Sequence, residues 1–192
     1  MVMRRLREDT AALHAQLEEF MDPDARFATR ASYIGLLHLL QPFYLKCETM
    51  LGALPWQQLG FDFESRRKEP LLVADLAALG ESVKGDKTDS HGPICIDLAS
   101  GFGTMYVLEG ATLGGRILRK TLKVKLDIDA DHGGSFYNGY GDLTQQRWKD
   151  FGAAADSYCG GYTRRIDSAL AAATATFTAF GRLLSSADSL FQ

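Results

Sequence analysis

Hydrophobic residues recur along the chain at intervals of three and four positions, the spacing of helices that bury one face. β-branched residues are scattered, and no stretch keeps the strict alternation that is typical of a half-buried strand. The pattern therefore predicts an all-α protein, a bundle of several helices. We expect these helices over residues 3–20, 29–52, 62–80, 93–125, 143–158 and 161–184.

Capping and helix-breaking residues bound the predicted helices. The Met-Asp-Pro-Asp sequence at 21–24 ends the first helix, and Thr29 is a side-chain cap for the second. Pro42 removes a backbone donor inside that second helix and should kink it. Pro93 suits the first position of the fourth helix. Polar or Gly-rich loops are expected over 81–92 and 127–142, and without an internal repeat or linker we expect one domain over residues 1–192.

Composition narrows the class of protein. The chain has 192 residues, of which 46% are hydrophobic, and a net charge of −3, so it can bury a full core and lacks the basic surface of a nucleic-acid binder. No run of 18 or more apolar residues occurs, and charged residues are mixed into the N-terminal sequence, so we expect neither a membrane span nor a signal peptide. The cysteines are too few and too far apart for a disulfide framework: Cys47, Cys95 and Cys159. We expect a cytoplasmic protein without nucleic-acid or membrane partners.

Five glycines lie where the surrounding pattern demands helix: Gly101, Gly103, Gly110, Gly114 and Gly115. Each interior glycine costs about 0.5–1 kcal/mol relative to alanine, so the set costs about 3–5 kcal/mol against a typical stability of about 5–15 kcal/mol. At about 100° per residue, Gly103, Gly110 and Gly114 share a face without Cβ atoms. Two explanations stay open: tight packing against another helix, and a planar ligand lying close to the backbone.

The first predicted helix carries a candidate metal ligand, His14. Arg7 lies seven residues earlier on the same face, about 10 Å away along the axis, and Glu18 lies one turn later. A carboxylate beside an imidazole orients a metal-binding histidine, because it accepts the proton of the ring nitrogen that is not bound to metal. Such pairs are more often ordinary surface pairs, so the spacing alone does not establish a site.

Three motifs in order resemble the heme oxygenase family over most of the chain. They are L-R-x-x-T-x-x-x-H-x-x-x-E at 6–18, G-x-x-Y-V-x-E-G-x-x-x-G-G at 103–115, and F-x-x-G-Y-G-x-x-T-x-x-x-W at 136–148. The third motif is similar to the bacterial subgroup found with bacteriophytochromes. The resemblance implies a single helical domain that binds heme b as both cofactor and substrate.

The resemblance also implies roles for individual residues. His14 would be the proximal iron ligand and Glu18 its hydrogen-bond partner, while the backbone at Gly110 and Gly114 would press on the opposite heme face and carry the catalytic role. Arg7 and Tyr106 would hold the heme propionates, which suits a guanidinium and a phenol as donors. The full heme-binding set that the resemblance implies is Arg7, His14, Glu18, Gly103, Tyr106, Gly110, Gly114 and Gly115.

The implied reaction is oxidative cleavage of heme to biliverdin IXα, carbon monoxide and free iron. It would use O2 and electrons from a ferredoxin or flavoprotein reductase, in a monomer that passes biliverdin to a bacteriophytochrome. Ala111 replaces the distal aspartate of mammalian members, so a heme carrier or sequestering protein without turnover is the alternative. Heme-loaded protein supplied with electrons separates the two, since only the enzyme forms biliverdin.

Two further stretches bear on this interpretation. The last predicted helix is rich in Ala and Thr and lacks the basic propionate contacts of some relatives. The end of the fourth helix carries a basic group, which either interacts with the helix dipole and solvent or docks an acidic electron donor. This group consists of Arg116, Arg119, Lys120, Lys123 and Lys125.

Overall fold

The computed structural model describes residues 1–83 and 95–187. Helices and short 3-10 turns account for its regular structure, and these two ranges contain no strand, which confirms the all-α prediction. No helix within them is both long enough and apolar enough to cross a bilayer. The helices are α1 (Val2–Asp9), α2 (Ala11–Met21), α3 (Pro23–Arg26), α4 (Arg30–Gly52), α5 (Glu69–Ala78), α6 (Leu98–Leu126), α7 (Ser135–Asn138), α8 (Thr144–Cys159) and α9 (Thr163–Ala187).

The most extensive helix interface joins α6 to α9, and small residues allow their backbones to come close. A Cβ atom added at Gly103 would collide with the carbonyl oxygen of Ala169. Two turns further along α9, the Thr176 hydroxyl lies 3.3 Å from the Thr104 hydroxyl. The Ala- and Thr-rich face of α9 is therefore a packing surface for α6.

The remaining helices surround this pair. α2 and α1 pack on α9, whereas α7 and α8 pack on α6 and α4 packs on α5. Buried aromatic rings fill the spaces between them, as in the cluster of Trp56, Phe102 and Phe151. α6 is thus held from several sides, while α2 rests mainly on α9 and has no fully buried residue.

Local hydrogen bonds set the ends of α6. Its first turn is closed by a capping box, in which the Asp97 carboxylate accepts from the Ser100 backbone at 2.7 Å and the Ser100 hydroxyl accepts from the Asp97 backbone at 3.0 Å. The helix ends at Asp127, which has a left-handed backbone conformation with φ of 54°. It therefore begins at Leu98 and not at the expected Pro93, which lies outside the described residues together with most of the expected loop at 81–92.

Two other predicted helices differ in length from those observed. Thr10 divides the first one into α1 and α2, because its backbone leaves helical geometry with φ of −108° and ψ of 7°, and its hydroxyl donates to the carbonyl of Leu6 at 2.6 Å. The third helix, expected over 62–80, is limited to Glu69–Ala78 because residues 64–66 form a 3-10 turn. Thr29 caps α4 as predicted, and α4 ends at Gly52.

Candidate functional site

One part of the α6 surface presents bare backbone. Cβ atoms built at Gly110 and Gly114 would meet no atom of the described residues within 4 Å. Gly114 is exposed and Gly110 is half-buried. At both positions the main chain can therefore come into direct contact with a flat molecule, which no other residue type would allow.

Gly103 and Gly115 have different surroundings from these two glycines. The face shared by Gly103, Gly110 and Gly114 is covered by the backbone of α9 at Gly103 and becomes open further along. A Cβ atom at Gly115 would lie 3.2 Å from the carbonyl oxygen of Tyr137. The structure thus assigns Gly103 and Gly115 to packing, and it leaves Gly110 and Gly114 facing open space.

The candidate ligand His14 lies on α2 with a free ring face. Its side chain is 51% exposed, and its Nδ1 atom lies 3.6 Å from Oε1 of Glu18, which is 72% exposed. Since Nδ1 is the nitrogen that faces the carboxylate, Nε2 is the nitrogen available for a metal. The i,i+4 spacing read from the sequence thus brings the two side chains together as expected.

Phe177 of α9 connects the two sides of the site. Its ring centroid lies 5.9 Å from that of His14 and 6.4 Å from that of Tyr106, in an edge-on arrangement with both. Phe177 thus links His14 to Tyr106, which lies one helical turn before Gly110 on α6. Phe177 was not predicted from the sequence, because nothing local distinguishes it beyond its size in an Ala- and Thr-rich helix.

Arg7 and Tyr106 lie near each other at the junction of α1 and α2. Burial raises the pKa of Tyr106, while the Thr10 hydroxyl and the Arg7 guanidinium oppose that shift. Tyr106 is 8% exposed and its ring lies against Trp148, with 5.7 Å between centroids. A ligand carboxylate reaching this junction would find a guanidinium and a phenol as donors.

These features fit heme. The α6 surface offers main chain without side chains, α2 carries an imidazole with an available nitrogen, and the apolar ring of Phe177 lies against that imidazole. Apolar side chains of α2, among them Leu13 and Leu17, are only half-buried, and a groove of about 290 Å³ remains between α2 and α9. α2 therefore has room to adjust its position when a ligand binds.

Comparisons with known proteins were made against families, sequences and solved structures. No family model matches the chain. The heme oxygenase PigA of Pseudomonas aeruginosa is 29% identical over 191 residues, which cover 94% of this chain and 90% of that protein. A heme oxygenase of Xanthomonas campestris is 30% identical over 122 residues, covering 64% of this chain and 70% of that protein. The NO- and CO-bound heme oxygenase of Neisseria meningitidis has the same fold, with a TM-score of 0.82 at 23% identity over 97% of this chain and 91% of that one.

Proposed function

The chain belongs to the heme oxygenase family and degrades heme, and we propose that it binds heme between His14 and the backbone at Gly110 and Gly114. The observation that carries this proposal is the open backbone of α6 at the two glycines, together with a half-exposed histidine whose neighbour Phe177 also contacts Tyr106, one turn before Gly110. Bound heme supplies the iron that activates O2 and the porphyrin that is cleaved. The remaining roles belong to residues of this chain.

His14 holds the iron through Nε2 in this proposal, and Glu18 keeps the imidazole in that orientation. The carboxylate accepts the Nδ1 proton after a small rotation closes the 3.6 Å separation. A neutral imidazole is the form of histidine that would bind the iron, and heme held in this way would supply the metal that reacts with O2. Because Glu18 is exposed, heme binding has to bury this pair partly for the orientation to become firm.

The turn at Gly110 and Gly114 limits the space above the opposite heme face. Main chain without Cβ atoms would lie closer to the ring than any other residue could, so it would leave little room beside that heme face. Ala111 adds only a methyl group here and no carboxylate. In this proposal, close approach of the backbone therefore does the positioning that a side chain would otherwise do.

Arg7 and Tyr106 fix the rotation of heme in its plane by holding its propionates. Their closeness at the α1–α2 junction supports this role, because the rotation of the ring would decide which meso carbon is cleaved. We propose that the product is biliverdin IXα. Replacing both residues, by Arg7→Leu and Tyr106→Phe, should yield a mixture of bilin isomers in chromatography, whereas an unchanged single isomer would contradict the assignment.

The electron donor in this proposal is a ferredoxin or a flavoprotein reductase, as is usual for such a reaction. We also propose a cytoplasmic monomer that delivers biliverdin to a bacteriophytochrome. Size-exclusion chromatography coupled to light scattering tests the monomer. Transfer of the bilin to an apo-bacteriophytochrome, followed by absorbance, tests the acceptor.

The deciding experiment is a hemin titration followed by turnover. We expect a saturable Soret band with a histidine-ligated spectrum and, after addition of ascorbate or of ferredoxin with its reductase, loss of that band as biliverdin forms. The His14→Ala variant should lose the histidine-ligated spectrum. A wild-type protein that holds reduced heme without cleaving it would support the carrier alternative, which the named relatives do not favour.

A further inference from the structure

The residue directly before Gly110 is a buried carboxylate that faces away from the heme site. Glu109 is 4% exposed. Its Oε1 atom accepts from the Tyr140 hydroxyl at 2.5 Å, and its Oε2 atom accepts from the Arg66 guanidinium at 3.1 Å. A buried charge is tolerated only with such partners, so the turn that carries Gly110 is tied to two distant segments of the chain.

Lys68 completes this cluster. Its ammonium group, 2% exposed, donates to the Tyr140 hydroxyl at 2.5 Å and to the Arg66 carbonyl at 2.6 Å. The same nitrogen lies 3.8 Å from Oε1 of Glu109. The Tyr140 hydroxyl therefore accepts a hydrogen bond from Lys68 and donates one to Glu109, so its position and its orientation are both fixed. We call Arg66, Lys68, Glu109 and Tyr140 the Glu109 clamp.

Backbone packing presses the same segment against α6. Gly139, just before Tyr140, has a φ of 55°, and a Cβ atom there would lie 2.5 Å from the Thr112 methyl group. Gly115 meets the carbonyl of Tyr137 in a similar way. At about 100° per residue, Glu109, Thr112 and Gly115 point to the side of α6 opposite Gly110 and Gly114. The clamp thus supports the open glycine turn from behind.

We propose that the residues of the Glu109 clamp are positioning residues, which set how close the Gly110 backbone lies to the heme. This inference rests on the heme-binding role proposed above. Replacing a buried ionic network by apolar residues is often neutral or stabilising, so overall stability is a weak reason for these charges. A set of directional hydrogen bonds instead holds one turn in one place, and a displacement of about 1 Å can cost about a hundredfold in rate.

The test uses Tyr140→Phe and Glu109→Gln with Tyr33→Phe as the matched control. Tyr33 is also buried, and its hydroxyl donates to the Gly133 carbonyl at 2.7 Å, so the control loses one buried hydrogen bond outside the clamp. Two readouts are compared: amide hydrogen exchange of residues 108–115 in the heme-free protein, and the infrared C–O stretch of carbon monoxide bound to reduced heme. Thermal unfolding checks the folding of each variant. If Glu109→Gln fails to fold, Tyr140→Phe decides alone, because it keeps the ring and every charge.

We expect faster exchange at 108–115, a shifted or broadened C–O band and a rate of biliverdin formation lower by about tenfold or more in the clamp variants. The control should match the wild type in the band and in the exchange of these residues. Clamp variants with wild-type exchange and band, whatever their stability, would overturn the inference. Failure of the proposed function gives a different result, because the wild type would then not bind heme. Amide hydrogen exchange of the heme-free proteins would still decide whether the clamp holds the glycine turn.

Discussion

Gly103 and Gly110 have the same side chain and share a face of α6, yet they meet different surroundings. The backbone of α9 excludes a Cβ atom at Gly103, whereas the space beside Gly110 is open. The two explanations that the sequence leaves open for the glycines thus both apply, at different positions of one helix. The choice depends on where α9 crosses α6, which no local pattern encodes.

Alanine substitutions should separate these two glycines. Gly103→Ala should lower the free energy of unfolding by about 1–3 kcal/mol, because the added methyl group meets backbone that has to move. Gly110→Ala should leave stability unchanged or raise it by about 0.5–1 kcal/mol, since alanine favours helix and the methyl group points into open space. Urea unfolding of the heme-free variants measures both effects.

The heme-loaded variants complete this comparison. Gly110→Ala should slow biliverdin formation while heme still binds, because the methyl group lifts the backbone away from the ring. Full turnover in Gly110→Ala would contradict the close-approach argument. Equal stabilities of the two heme-free variants would contradict the packing role of Gly103.

Lys68 should make stability depend on pH. Burial lowers the pKa of Lys68 from 10.5 to about 8, against the opposing attraction of Glu109 and Glu48. Between these two values the unfolded chain binds a proton that the folded chain has released, so the free energy of unfolding should rise as pH rises above about 8. The slope can reach about 1.4 kcal/mol per pH unit, until ionisation of buried tyrosines in the unfolded chain reverses the trend above about pH 10.

The Lys68→Met variant isolates this contribution. Urea midpoints of both proteins are compared at about pH 7.5 and about pH 9.5, a range that spans most of the window. The wild type should gain stability relative to Lys68→Met as pH rises across it. A constant difference between the two proteins would show that Lys68 keeps its ordinary pKa in the folded chain.

At the scale of helices, α2 and α6 are held differently. α6 is buried along most of its first three turns, whereas α2 has no fully buried residue and leaves a groove against α9. Segments with few buried contacts open at low free-energy cost. The helix that carries the proposed iron ligand is therefore the one best able to move when a ligand enters.

Heme should order α2 more than α6. Amide hydrogen exchange of Ala11–Met21 should slow markedly when hemin is added, because an iron bond and contacts with the ring replace solvent. Residues 99–109 of α6 should exchange slowly in both states. Equal exchange of α2 with and without hemin would show that the helix is already fixed or takes no part in binding.

Helix positions followed from local patterns in the sequence, while long-range contacts did not. The cap at Thr29 and the end of α4 at Gly52 were predictable because capping chemistry is local. The shortening of the third helix was not, since Arg66 and Lys68 are drawn into ionic contacts with Glu109, some forty residues further along the chain. The paired spacing of His14 and Glu18 is local and was found, whereas Phe177 and the Glu109 clamp needed the tertiary structure.

At the scale of the whole molecule, the basic group at the end of α6 contains some side chains that form ion pairs and others that do not. Lys123 pairs with Asp127 and Asp129, and Lys125 pairs with Asp24 at 2.5 Å. The Arg119 guanidinium donates to Asn138 at 2.5 Å. Arg116 and Lys120 are exposed and make no ion pair within residues 1–83 and 95–187. A partner approaching this end therefore meets the charges of Arg116 and Lys120, and that of the half-buried Arg119, which a neutral amide does not offset.

Removing the two free charges should slow electron delivery by a protein donor. In the double variant Arg116→Gln, Lys120→Gln, ferredoxin-driven biliverdin formation should fall several-fold at low salt, and added salt should affect it less than the wild type. The double variant Lys123→Gln, Lys125→Gln removes the same formal charge, but it should lose less because Asp24, Asp127 and Asp129 already offset those lysines. Ascorbate, a small donor without a docking surface, should drive all three proteins at equal rates.

An equal fall in rate in both double variants would mean that only net charge matters. No fall in either variant would place the electron donor on another face of the molecule.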